Sequence, residues 1–338
     1  MTSDETSVRA DLRQGSTHPN VPGGARIRCG LAAIPPAPVS LLAVIEYGPT
    51  PERQVAAPLG VKVRLEPLDS VSTAEYWSAQ GQVVTGHAGQ IRYAHDDHFL
   101  FAVIEVDERD DGGILPATQA VYTAIREFQK TSQFPHLLRI WNFMDAVNEG
   151  DGDFERYRQF CVGRARGFTE ASEDRYPAAT AIGRQHPSHE LQVFWLAGRR
   201  PGTAIENPRQ VSAYRYPRAH GPASPSFSRA TVTSDGMLLI SGTASIVGHL
   251  SKHPGNPLAQ LEEILRNLTV LVERARQDGR VGASREPMLL KVYVRDPAHV
   301  ASIAARLRTA FPNDPAIFLA ADICRRELLL EIECVVQG

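Results

Sequence analysis

The chain has 338 residues, 43% of them hydrophobic, and a formal charge of −2 at pH 7. That length supports two ordinary domains or one large one, and the near-neutral charge argues against a nucleic-acid or membrane-surface partner. No apolar run reaches the ~20 residues that cross a bilayer. The four cysteines lack CxxC spacing and read as free thiols in a reducing cytoplasm, while the 11 histidines form no HExxH or HxH cluster, so no metal is expected.

In chain order, residues 1–22 are polar and mixed in charge and read as a flexible tail. Apolar runs at 39–47 and 61–65 predict strands. Runs at 90–93 and 99–106 predict a hairpin, followed by a helix over 117–130 with Val121, Ile125 and Phe128 inward. A strand at 137–143, a helix over 154–168 and a strand at 191–197 follow. Residues 170–190 lack a clear period and read as irregular structure bordering a site. The Pro/Gly-rich stretch at 216–227 suits a crossing loop.

The C-terminal third is patterned most clearly. Runs at 229–234 and 237–241 flank Asp235-Gly236, a hairpin-turn dipeptide. Asn256-Pro257 supplies an N-cap and a first-turn proline for a helix with Leu261, Ile264, Leu265, Leu268 and Val272 on one face, ending at Asp278-Gly279. A strand at 288–295, a helix opened by Asp296-Pro297, and strands at 316–321 and 328–336 complete the chain. The order β-β-α-β-α-β thus occurs twice. It predicts an α+β protein of two units, 23–215 and 216–338, each a mixed sheet with helices on one face.

The last strand carries the most chemical information. Side chains alternate across a strand, so Leu328, Leu330, Ile332 and Cys334 are expected on one face and Leu329, Glu331 and Glu333 on the other. A carboxyl group in such a run is either paired with a cation or has a raised pKa, and the second state makes a proton donor. Glu331 and Glu333 compete for that role.

Three segments of the C-terminal unit, Leu238-Leu-Ile-Ser-Gly-Thr-Ala244, Lys291-Val-Tyr-Val-Arg-Asp296 and Leu330-Glu-Ile-Glu333, resemble the YjgF/Rid fold. That family includes imine and enamine hydrolases with an arginine in a Pro-x-Arg context before the last strand. Pro315-Ala-Ile-Phe-Leu319 has none here, which argues against that activity. Five segments then resemble the chorismatase family of FkbO/Hyg5-like enzymes: Arg139-Ile-Trp-Asn-Phe143, Tyr157-Arg-Gln-Phe-Cys-Val-Gly-Arg-Ala165, Pro177-Ala-Ala-Thr-Ala-Ile-Gly183, Ile205-Glu-Asn-Pro208 and the 216–229 crossing.

The resemblance implies two YjgF-like units packed as a pseudo-oligomer, a site in the cleft between them, and a single chain doing what the small family does as a trimer. It implies cleavage of the enolpyruvyl ether of chorismate with release of pyruvate, without a cofactor. The family's essential glutamate falls on Glu331. Gly242 and Cys324, where the hydrolytic type has alanine, match the type that forms 3-hydroxybenzoate. In that type the ring hydroxyl is thought to displace the ether internally, and the cysteine takes part in the aromatising route. Arg164, Tyr216, Arg229 and Arg295 are the candidates to bind the two carboxylates, since arginine forks suit them best. Cys161 and Cys334 are expected as packing, and Trp141 and Phe227 as core or wall. The alternatives are hydrolysis to a dihydroxycyclohexadiene carboxylate, a mixed 3-/4-hydroxybenzoate synthase, and a YjgF-type binding protein for small carboxylates.

Overall fold

Alternating apolar runs pair into three sheets in the computed structural model, which describes residues 27–32, 40–48, 57–69, 74–168, 176–185, 188–281 and 288–336. The expected N-terminal tail lies outside the described residues.

The first sheet holds β1 (Arg28–Ala32), β2 (Ser40–Tyr47), β3 (Gly60–Val63) and β4 (Ala74–Ala79) in the order β1-β4-β2-β3. The second is built from β5 (Val84–Ala88), β6 (Ile91–His95), β7 (Phe99–Asp107), α1 (Ile114–Thr131), β8 (His136–Asp145), α2 (Arg156–Gly167), β9 (Ala178–Arg184) and β10 (Glu190–Gly198). Its order is β5-β6-β7-β10-β8-β9, with only β8 and β9 parallel.

The third unit repeats this plan. It comprises β11 (Thr203–Ile205), β12 (Ala230–Val232), β13 (Leu238–Ala244), a small hairpin of β14 (Ile246–Val247) and β15 (Leu250–Ser251), α3 (Pro257–Gln277), β16 (Met288–Val294), α4 (Val300–Ala310), β17 (Ala316–Ala320) and β18 (Leu330–Val336). The order β11-β12-β13-β18-β16-β17, again with one parallel pair, matches the second sheet position for position. The α+β duplication expected from the element order is therefore present.

Each duplicated sheet buries one face under its own helices. Val121 and Ile125 of α1 and Phe160 of α2 pack on Leu100, Ile140 and Trp195. Leu261, Leu268, Ile303 and Leu307 of α3 and α4 pack on Leu330 and Ile332. The opposite faces meet the first sheet in a shared core that includes Trp77, Phe101, Trp141, Leu239 and Tyr293. Each such large apolar side chain contributes ~1.5–3 kcal/mol on burial. The result is three sheets around one core, with helices outside two of them.

Local signals act as their chemistry dictates. Asn256 accepts a hydrogen bond from Ala259 N at 3.0 Å and caps α3, with Pro257 in its first turn. Asp296 caps a short 3-10 turn at Pro297–His299, and α4 begins only after it.

Four expectations are corrected. Residues 178–184, read as irregular, form β9: they are alanine-rich and buried along most of the strand, so neither β-branching nor alternation marks them. The sheet of the C-terminal unit begins at Thr203, ahead of the expected boundary at 215/216, because β11 pairs with β12. The four N-terminal strands form their own sheet, apart from the single mixed sheet expected of the 23–215 unit. The last strand starts at Leu330, so the expected alternation fails before it: Leu328 packs in the shared core and Leu329 on the helix side.

Candidate active site

The two duplicated units are joined where β9, the open edge of the second sheet, meets β12 and β13. Ala179 N donates to Ser241 Oγ at 2.9 Å, Gly242 N donates to Thr180 Oγ1 at 2.9 Å, and Gly183 N donates to Asp322 O at 2.8 Å. The β13–β18 register breaks between Ile240 and Thr243, which turns the Ser241–Gly242 backbone toward β9 instead of β18. A cavity of about 370 Å³ opens at this seam. Its walls come from α2, β9, β13, β18, the crossing loop at 213–229 and the loop after β17.

Glu331, Cys324, Gly242, Arg164, Tyr216 and Arg229 all line this one cavity. Arg295 does not. Its guanidinium is committed to Asp322 at 2.5 Å, Asn148 at 3.0 Å and the carbonyls of Ile323, Arg325 and Leu328. Its place at the end of β16 lets it gather the loop that carries Cys324, so it shapes the site without facing it.

The two glutamates of β18 separate cleanly. Glu333 is saturated: Lys291 Nζ lies at 2.5 Å, Arg139 Nη2 at 2.8 Å, Trp141 Nε1 at 2.8 Å and Thr180 Oγ1 at 2.6 Å. Burial alone raises its pKa, but Lys291 and Arg139 outweigh that and hold it below the usual carboxylate value. Glu331 is 5% exposed and receives no hydrogen bond from the described residues. Burial, reinforced by the charge of Glu333, pushes it up to about 8 against the pull of Arg139 and Arg229. The competition left open by the sequence resolves by partners: Glu333 is an ion-pair residue and Glu331 a neutral acid at physiological pH.

Gly242 sits directly against that acid. A Cβ there would overlap Glu331 Oε1, lie 2.7 Å from its carboxyl carbon and 3.2 Å from Thr180 Cγ2. Only glycine lets the carboxyl occupy its present position.

Two guanidinium groups face the same space. Arg164 is 4% exposed, and its Nε and Nη2 have no hydrogen-bond partner among the described residues. It is held by ring faces, with its Cζ 5.0 Å from the Tyr122 ring and 5.9 Å from Phe168. Glycines 163 and 167 allow α2 to approach α1 closely, since a Cβ on Gly167 would meet Gln119 O at 2.5 Å, and this crossing fixes where Arg164 points. Arg229 rests on Phe227 at 5.2 Å and donates through Nη2 to Val211 O and Tyr216 Oη, both at 2.8 Å, which leaves its buried Nε without a partner. Burying an unpaired cation costs several kcal/mol, which an anion entering the cavity offsets.

Cys324 is half-buried beside Glu331, and burial together with the Glu331 charge pushes its thiol up to about 12. It stands as a thiol. Cys161, expected as packing, also borders the cavity and accepts a hydrogen bond from Tyr157, with burial pushing its thiol up to about 12. Cys334 packs on the helix side of β18, and none of the four cysteines is in a disulfide.

Sequence reasoning missed Tyr157, Thr180, His220 and Arg325. The first three sit in segments quoted for the resemblance, which was the available signal. His220 pairs with His249 at 2.9 Å, and burial, with Arg325 and His249, brings it down to about 4. Arg325 lies 5.4 Å from the Tyr216 ring and donates to His249 O and Ser251 Oγ. No short-range pattern announces Arg325.

The cavity thus sets a buried neutral acid opposite Arg164, which has two unpartnered nitrogens, and Arg229, which has one and lies near the Glu206 carboxylate. The family described as chorismatase FkbO/Hyg5-like, N-terminal, matches residues 75–197. A 3-hydroxybenzoate synthase of Streptomyces hygroscopicus is 34% identical over 279 residues, which is 78% of this chain and 81% of that protein. A chorismatase of Streptomyces rapamycinicus is 36% identical over 280 residues, 78% and 82% of the two chains. A chorismatase crystal structure at 1.08 Å superposes with a TM-score of 0.82 at 31% identity, covering 93% of this chain and 99% of that one. With relatives this similar along most of both lengths, the chain belongs to the chorismatase family.

Proposed function

We propose that this chain is a chorismatase that converts chorismate to 3-hydroxybenzoate and pyruvate. The observation that carries the reading is Glu331, a buried carboxyl without a cation of its own, in a cavity where Arg164 and Arg229 wait for anions. The two arginines hold the two carboxylates. Glu331 delivers its proton to the enolpyruvyl methylene, which leaves an oxocarbenium centre at the ether carbon. The ring carbon–oxygen bond then breaks onto that centre and pyruvate leaves as the ketone. In the aromatising route the neighbouring ring hydroxyl oxygen attacks the ring carbon as the ether departs and gives up its proton, and loss of a ring proton on opening yields the phenol. The overall change, chorismate to 3-hydroxybenzoate plus pyruvate, balances without water. Cys324, a thiol beside Glu331, is available as a donor when the strained intermediate opens.

A homologue named 3-hydroxybenzoate synthase supports the aromatising product, as do Gly242 and Cys324. The 23–215 and 216–338 division, with its boundary moved to the start of β11, puts the cavity between units of one chain, so a monomer in the cytoplasm suffices for catalysis. Among the described residues no helix is long and apolar enough to cross a membrane.

The test incubates purified protein with chorismate, assays pyruvate and separates the ring products. Equimolar 3-hydroxybenzoate and pyruvate is the expected result. The dihydroxy diene would retain the cleavage and reject the aromatising route, and absence of pyruvate would return the chain to a carboxylate-binding role.

Gly242→Ala is a sharper probe of the route. The added methyl displaces the Glu331 carboxyl, so kcat is expected to fall at least ~10-fold, since misplacing a general acid forfeits much of its contribution. The residual product is expected to shift toward the diene, read as the ratio of the two ring products by chromatography.

A further inference from the structure

The first sheet supplies nothing to the cavity, whose lining among the described residues begins at Gly150. It does supply Glu75, the least exposed carboxylate among the described residues, at 0% exposure on β4. Glu75 accepts from Tyr47 Oη at 2.8 Å and Trp77 Nε1 at 2.8 Å, and lies 2.7 Å from Lys291 Nζ. Lys291, on β16, bridges to Glu333 at 2.5 Å, and Glu333 bridges to Arg139 of β8 at 2.8 Å. One residue from each of the first two sheets, and two from the third, form an unbroken chain across the common core. Burial works against the Lys291 charge, but Glu333 and Glu75 outweigh it and hold its pKa up.

Counted as charges, the chain is closed: two carboxylates, two cations, every one at most 3% exposed. Glu331 is the fifth member and has no cation in it. The titratable and charged groups that face it are Glu333 on its own strand, Tyr293 on β16, Arg139 on β8, Arg229 before β12, Cys324 after β17 and Tyr157 on α2. Arg139 is spent on Glu333, and Arg229 is the group a substrate carboxylate claims. Tyr293, the register partner of Glu331, has a buried hydroxyl without a partner among the described residues.

We propose that the Glu75–Lys291–Glu333–Arg139 chain is the device that keeps Glu331 carrying its proton, so that Glu75 and Lys291 are positioning residues for the acid although neither touches the cavity. The inference rests on the reading of Glu331 as the proton donor. Its physics is electroneutrality in a medium of low dielectric, where a net buried charge is costly and the nearest titratable group changes state to remove it. A neutral network leaves Glu331 protonated. A network with one surplus positive charge is neutralised most cheaply by ionising Glu331. The N-terminal sheet thereby sets the acid from the far side of the core.

The test is a charge-balance series on the intact chain. Glu75→Gln leaves Lys291 and Arg139 facing Glu333 alone. Glu331 then ionises at lower pH, the basic limb of kcat/KM moves down by at least ~1 unit, and activity at pH 7.5 falls ~3-fold or more while the plateau at lower pH is kept. Glu75→Gln with Lys291→Met restores two opposite charges and is expected to return the limb to its original position, a rescue that lost packing alone does not produce. Infrared spectroscopy follows the protonated carboxyl directly, the Glu331 band being the one missing in Glu331→Gln. If Glu75→Gln does not fold, Glu333→Gln, which leaves Arg139 uncompensated beside Glu331, must move that band in the same direction. An unshifted band in the folded single variants, or a double variant that folds without restoring the titration, would overturn the proposal. Full turnover by Glu331→Gln would instead reject Glu331 as the donor, and the infrared titration would still report on the network.

Discussion

Glu331→Gln is expected to lower kcat for pyruvate release by ~10²–10⁴-fold, the usual contribution of a positioned general acid, with chorismate binding retained. Glutamine keeps the shape of the side chain and has no acidic proton, so the loss falls on the chemical step. The same substitution is expected to stabilise the protein. The carboxyl is held at about 8 in the folded state against an ordinary 4.5. The folded chain therefore keeps a proton that the unfolded chain releases between those values, and stability is lost as pH rises from 4.5 to 8. At 1.36 kcal/mol per pH unit the cost reaches on the order of 3 kcal/mol at pH 7. The variant is expected to melt several degrees higher at pH 7–8 and to converge with the parent near pH 4.5. A melting temperature lowered at every pH would contradict a neutral, unpaired Glu331. Substrate binding adds a second pH signature. A carboxylate on Arg229 cancels one of the two cations that favour ionised Glu331, so the basic limb of kcat is expected above that of kcat/KM.

Arg164→Met carries the second large effect, and it appears in KM. A charge-assisted pair with a carboxylate in a buried site is worth several kcal/mol, so KM for chorismate is expected to rise ~100-fold or more, with a much smaller change in kcat. Methionine has a similar length and removes a buried cation with two unpartnered nitrogens, so the melting temperature is expected to hold or rise. A loss confined to kcat with KM unchanged would place Arg164 outside substrate binding. Both glutamine at 331 and methionine at 164 are thus expected to trade function for stability. That trade is what groups kept uncompensated for a reaction predict.

The neutral network and the unpaired acid also explain why β18 carries two glutamates two residues apart. Glu333 closes the ion chain at the junction of three sheets, and its charge in turn works against ionisation of Glu331. The seam of β9 with β13 brings Thr180 between them: its hydroxyl donates to Glu333 and accepts from the Gly242 amide, linking the ion chain to the glycine that makes room for the acid.

Much of this was legible in the sequence, for local reasons. The element order, the capped helix α3, the Asp235-Gly236 hairpin and the duplication follow from periodicity and turn chemistry, which act over a few residues. The motifs led to seven candidate site residues, of which the cavity brings six together. The elements with no local signature went unread: β9, which is alanine-rich and buried along most of its length, the short edge strand β11, and the β1 and β4 strands of the first sheet. Two decisions belonged to the tertiary structure alone. Arg295 turned out to be a loop organiser because Asp322 and three carbonyls, distant in sequence, converge on it. Glu331 and Glu333 share a strand face and differ in what surrounds them, Lys291 of the neighbouring strand and Arg139 of the second sheet for one and the cavity for the other. Charge state in a buried site depends on distances to groups far along the chain, and no spacing within β18 encodes it.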